Sequence, residues 1–134
     1  MNWKKKIPAY NLQEMLVVLV IIGILILIAV PSFMGYINRA KSTEALQNLK
    51  TIHGFQRSHF FMYNTYSLEF ETIDFTPPKT TEQGGTGYYT YEMVEASKDN
   101  FKARAIATFD SDGDGIKSTW EIDKDGIPKE IIKD

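Results

Sequence analysis

The chain has 134 residues, with 15 Lys and Arg against 17 Asp and Glu, and no Cys. A net charge of −2 gives no support to a nucleic-acid partner, which needs a basic face. Without cysteine no disulfide can tie down loops, so in an oxidising compartment something else must do so.

The chain opens on a short basic segment, Met1 to Ala9, containing Lys4, Lys5 and Lys6. An apolar run follows from Leu12 to Val30, with no polar side chain from Met15 onward. A spanning helix needs roughly 20 residues, and the run reaches that length only if Gln13 and Glu14 are included. A carboxylate costs at least ~2.5 kcal/mol near the bilayer centre and less toward the headgroups, where Glu14 would lie. Lysines beside a span mark its cytoplasmic end, so the C-terminal hundred or so residues are expected outside the cytoplasm. A cleaved secretory signal is the plainer alternative. The run is long for an h-region of about 7–15 residues, and Ala29-Val30-Pro31 lacks a small-x-small cleavage pattern. Polar Asn11, Gln13 and Glu14 also separate the lysines from the apolar core.

Lys4-Lys5-Lys6-Ile7-Pro8-Ala9 followed by Tyr10-Asn11-Leu12-Gln13-Glu14-Met15-Leu16 resembles the class III leader of type IV pilins and type II secretion pseudopilins. The resemblance is specific over residues 4–31. It implies a pilin-like α+β fold: one long N-terminal helix, half membrane-bound and half amphipathic, packed on a small antiparallel sheet. It divides the chain into a leader (1–9), a transmembrane and filament-core helix (10–33) and a soluble domain (34–134). A prepilin peptidase would cut between Ala9 and Tyr10 and the new N-terminus would be methylated. The expected partners are further copies of the chain in a helical filament, other minor pilins, an inner-membrane assembly platform and the lipid bilayer. Three positions depart from the family pattern: Ala9 stands for Gly, Tyr10 for Phe and Gln13 for an aliphatic residue.

Glu14 fits that resemblance physically. Apolar helices bundled without water leave a carboxylate needing a cation. The α-amino group of Tyr10 in a neighbouring subunit would supply one and fix axial register. The plainer reading is a glutamate facing headgroups.

Beyond Pro31, Phe33, Ile37, Ala40, Leu46, Leu49, Ile52, His53 and Phe60 recur at helical spacing. Asn38, Arg39, Lys41, Glu44, Gln47, Lys50 and Arg57 take the other face. This predicts an amphipathic continuation to about Met62, needing a covering layer. Pro31 cannot donate a backbone hydrogen bond and is expected to kink the helix. His53 and His59 are assigned no metal.

Tyr63-Asn64-Thr65-Tyr66-Ser67 ends the helix, and Pro77-Pro78 and Gln83-Gly84-Gly85-Thr86-Gly87 mark loops. Strands are predicted over Tyr88–Val94, Phe101–Phe109, Thr119–Ile122 and Ile127–Ile131, with Lys98-Asp99-Asn100 and Lys124-Asp125-Gly126 as turns.

Between the middle strands stands Asp110-Ser111-Asp112-Gly113-Asp114-Gly115-Ile116-Lys117-Ser118-Thr119-Trp120-Glu121. Acids at positions one, three, five and twelve with Gly at six match a calcium loop. Lys117 takes the position of the hand's aliphatic residue, and the flanks read as strands, so this is no helix–loop–helix hand. Asp110, Asp112, Asp114 and Glu121 are the candidate calcium ligands, with Asp123, Asp125 and backbone carbonyls competing for the last place. Major pseudopilins carry a similar C-terminal calcium loop. The plainer reading is an acidic turn without an ion.

No nucleophile–base or zinc constellation is visible, so no enzyme is expected. The expected function is a structural subunit of a type IV pilus-like or type II secretion pseudopilus filament. The short domain and the calcium loop in place of a disulfide lean toward the pseudopilus. Its expected place is the bacterial inner membrane with the N-terminus cytoplasmic, then a filament. The rival is a monomeric single-span anchor presenting an extracytoplasmic calcium-binding domain.

Overall fold

A computed structural model describes residues 9–134. Helix α1 runs Leu12–Tyr63 and is unbroken across Pro31. Strands β1 (Tyr89–Ala96), β2 (Phe101–Ala107), β3 (Thr119–Asp123) and β4 (Lys129–Ile132) follow. The leader call on residues 1–8 lies outside the described residues, and Ala9 and Tyr10 are exposed. The chain divides into two compact units, one ending at Ile37 and one spanning Asn38–Asp134.

The first unit is the apolar part of α1. Its 18-residue window has a mean hydropathy of 3.1, enough by length and composition to cross a membrane. Apolar side chains from Met15 to Val30 stand exposed, Leu27 at 77% and Leu19 at 66%. Among the described residues of this unit nothing buries them, so the surface suits lipid or other helices.

In the second unit the α1 residues Ala45, Leu49, Ile52, Gln56 and His59 are buried. They recur at three- and four-residue spacing, which puts them on one face. The four strands form an antiparallel meander in the order β1-β2-β3-β4. Alternation selects the face that meets the helix: Tyr89 and Tyr91 from β1, Phe101, Ala103, Ala105 and Ala107 from β2, Ile122 from β3. The alanines on β2 leave room for the helix, and the aromatics at the margins close over it. Ile73 and Phe75, from the connection between α1 and β1, complete this core.

Polar contacts fix the sheet on the helix. Asn48 Nδ2 donates to Tyr91 Oη at 2.8 Å, and Tyr89 Oη lies 3.3 Å from Ser42 Oγ. Glu44 accepts the Tyr88 N–H on both carboxylate oxygens. Lys41 Nζ sits over the rings of Tyr88 and Phe109, 4.8 and 4.2 Å from their centroids.

The expected α+β architecture is the one observed. The helix faces differ in detail. Phe33 and Ile37, expected in the buried stripe, are 62% and 45% exposed and belong to the first unit. Gln56 and His59 are buried instead, because both are bonded to the chain leaving the helix: Gln56 to Ser67, and His59 Nδ1 to the Thr65 carbonyl at 2.8 Å. His53, 3.0 Å from the Lys124 carbonyl through Nε2, covers Gly126, where a Cβ would meet its ring at 2.8 Å. Both histidines are thus packing groups.

Candidate functional site

Two places concentrate chemistry: the start of α1 and the loop from Asp110 to Ser118. At the helix start, the Asn11 carbonyl accepts the Met15 N–H at 3.2 Å, making Asn11 the N-cap. Glu14 is then the third helical residue. Its Oε2 accepts the Asn11 N–H at 3.1 Å, the return half of a capping box. The single chain thus uses Glu14 to satisfy one orphan donor and to set negative charge at the positive end of the helix dipole. One carboxylate oxygen engages the cap, and the other has no partner among the described residues.

In the acidic loop each aspartate first organises backbone. Asp110 accepts the Gly113 N–H on Oδ1 and the Gly115 N–H on Oδ2, both at 2.7 Å. Asp112 Oδ1 accepts the Asp114 N–H at 3.1 Å, and Asp114 Oδ1 the Ile116 N–H at 2.7 Å. Gly113 and Gly115 have φ of 81° and 87°, the left-handed region that lets the chain coil this tightly. The coil brings Asp110, Asp112 and Asp114 together, with one carboxylate oxygen from each within 4.8 Å of the others.

The fourth member of the cluster is Asp134. Its Oδ2 accepts the Ser111 N–H at 2.7 Å, while its Oδ1 is buried with no hydrogen-bond partner. A buried carboxylate oxygen without a donor needs a cation or a water. That orphan fits the requirement of a hard divalent ion for oxygen ligands.

Glu121, expected as the twelfth-position ligand, is not in the cluster. The reason is the strand. In a hand-type loop, the helix that leaves the loop turns the twelfth residue back to the ion. Here β3 has already begun at Thr119, and extended backbone carries Glu121 away. Glu121 sits opposite Arg104 in the ladder, and Arg104 Nε donates to its Oε2 at 2.8 Å. Asp123 is likewise engaged, accepting the Asp125 N–H at 2.9 Å. Asp134 escaped the sequence reading because it lies 24 residues past Asp110. The only signal for it was the second hairpin, which returns the chain to the loop.

The electrostatics show the crowding. The Gly115 N–H, supported by the Gly113 N–H, holds the Asp110 carboxyl below the usual carboxylate range against an opposing desolvation. Asp112 goes the other way. The Asp114 N–H lowers it, but desolvation and the charges of Asp114, Asp134 and Asp110 outweigh that bond and push it up. Like charges at this spacing repel, and a bound cation would reverse the sign of that interaction.

Two comparisons with known proteins bear on the chain. Residues 31–115 match the family model described as "Type IV minor pilin ComP, DNA uptake sequence receptor". The chain is also 37% identical over 75 residues to the type IV major pilin protein PilA of Myxococcus xanthus, covering 56% of this chain and 34% of that protein. The aligned part thus spans about a third of the length of that curated relative.

Proposed function

The chain belongs to the type IV pilin family, and on that premise we propose that it is a structural, non-enzymatic subunit of a membrane-anchored filament. The observation that carries the reading is the first unit: an unpartnered apolar helix with one carboxylate at its start. Such a surface is satisfied by lipid before assembly and by identical helices after it. In the bundle, Glu14 would exchange the Asn11 N–H for the α-amino group of Tyr10 in a neighbouring copy. That ion pair sets axial register, which leucine, isoleucine and valine cannot.

The pairing requires Tyr10 to be the N-terminus, so the proposal includes cleavage after Ala9 by a prepilin peptidase and N-methylation of Tyr10. It also includes insertion in the bacterial inner membrane with the soluble unit outside the cytoplasm, and assembly with minor pilins on an inner-membrane platform. The family description and the Myxococcus relative both carry pilus names, which supports a pilus over the secretion pseudopilus. The DNA-receptor role in the family description is not part of the proposal. Setting aside Lys4, Lys5, Lys6 and Glu14, the sequence leaves 12 basic against 16 acidic side chains.

Asp110, Asp112, Asp114 and Asp134 are the residues that would hold calcium. The ion would brace the β2–β3 connection in a chain without disulfides. Intact mass of the membrane form tests the proposal against the monomeric anchor. Loss of Met1–Ala9 with one added methyl group supports the filament subunit. A full-length mass in membranes that contain the peptidase overturns it.

A further inference from the structure

Two surfaces of the second unit are chemically complementary, and among the described residues neither meets a partner for its exposed groups. The first is the solvent face of α1. Lys50, Gly54, Arg57 and Phe61 follow one another at intervals of four, three and four residues, so they share a face, and all are exposed. Arg57 lies over the Phe61 ring at 5.6 Å, and Phe61 is 74% exposed. From Asn38 to Tyr63 the one acid is Glu44, and both its oxygens are taken by the Tyr88 N–H. The face is therefore basic and aromatic, with a glycine beside which a Cβ would meet nothing within 4 Å.

The second surface is a groove of about 590 Å³ in the connection between α1 and β1. Leu68, Phe70, Phe75 and Pro77 give it apolar walls, and Glu69 and Glu71 stand exposed on its rim. Among the described residues neither glutamate side chain has a hydrogen bond or an ion pair. Asp74, held at φ 58°, adds a third exposed carboxylate nearby in sequence. The volume falls in the ~300–1,000 Å³ range that accepts a drug-sized ligand, so an arginine and a phenylalanine side chain fit.

We propose that the Arg57–Phe61 pair of one copy docks in the Glu69–Glu71 groove of the next. This deepens the filament reading and rests on it by naming the contact between soluble units. The ring would enter against Phe70 and Phe75, while the guanidinium would meet the rim carboxylates in the planar geometry that arginine favours. The donor and acceptor surfaces differ, so the contact is heterologous. A heterologous contact that does not close into a ring propagates as an open helix.

The absence of native cysteine makes the test direct. Full chains carrying Gly54→Cys, which keeps Arg57 and Phe61 and meets nothing within 4 Å at its Cβ, or Thr76→Cys, with tags of different mass, are expressed together in membranes and treated with a short bis-maleimide. The expected product is the mixed dimer, with neither variant cross-linking to itself. Adding Arg57→Glu to the first chain should lower the mixed dimer about tenfold, by placing like charges at the rim. Adding Glu69→Lys and Glu71→Lys to the second should restore it. That rescue shows that the single substitution had not simply misfolded the chain. Absence of the mixed dimer, or self-cross-linking of either variant, overturns the proposal. So does an Arg57→Glu chain that cross-links normally but loses binding to duplex DNA, which would make the stripe a nucleic-acid surface. Electron microscopy of the same membranes reads the filament separately: a mixed dimer without filaments keeps the docking contact and removes the filament reading.

Discussion

Gln56 holds the main chain of Ser67 from both sides: its Nε2 donates to the Ser67 carbonyl and its Oε1 accepts the Ser67 N–H. A side-chain amide thereby stands in for a strand partner. It fastens the exit from α1 to the helix inside the core, where Gln56 is fully buried.

Replacing it removes both bonds and leaves a peptide group unsatisfied. Gln56→Leu should cost about 2–3 kcal/mol, which for a domain of this size lowers Tm by roughly 10 °C or more. Thermal melting of the 34–134 fragment checks this. A variant that melts with wild type would mean that water replaces the amide at no cost.

The acidic loop predicts a calcium response. The same fragment should melt higher in calcium than in chelator at matched ionic strength, by ~2.7 kcal/mol at a hundredfold excess over Kd. Asp112→Ala and Asp134→Ala should each remove most of the difference. Glu121→Ala should keep it while losing the pair with Arg104. A response that depends on Glu121 and not on Asp134 would place the ion elsewhere.

Tyr91 predicts an alkaline transition. Burial, aided by the Glu44 charge and opposed by the Asn48 hydrogen bond, raises its phenol well above the ordinary 10.0. The folded state then keeps a proton that the unfolded chain loses above about pH 10, so stability is complete below that pH and falls as pH rises through the window. Tyr91→Phe should cost about 1 kcal/mol at neutral pH, because the Asn48 amide loses its acceptor. Its gap to wild type should narrow in alkali. Urea melts of both proteins from about pH 8 to 11 measure the gap, and a constant gap would show that the phenol contributes no linkage.

Glu14 predicts an assembly defect without a folding defect. Glu14→Ala removes one capping bond, costs the soluble unit nothing and eases insertion. Membrane yield should hold while filaments fall sharply. Wild-type filament yield from the variant would rule out the register role.

Much of this was legible in the sequence because it is periodic. The strand Phe101–Ala107 alternates strictly, and its buried residues are the alternate ones. The run from Met15 to Val30 is uniform. What failed was whatever required knowing where a polar group finds its partner. The burial of Gln56 and His59 was not legible, because their partners lie beyond the helix, in the turn at Thr65 and Ser67. The acidic cluster takes Asp134 and not Glu121, because the ladder at Arg104 and the return of β4, rather than spacing along the chain, decide which carboxylates meet.

The order β1-β2-β3-β4 has a kinetic consequence. Each strand pairs with the one made just before it, so every pairing closes a short segment of chain and little loop entropy is lost at each step. On the proposed topology, a chain leaving the cytoplasm from its membrane helix onward would already have its template in place. The sheet can be laid down on it strand by strand as it emerges, with no early strand left waiting unpaired for a late one.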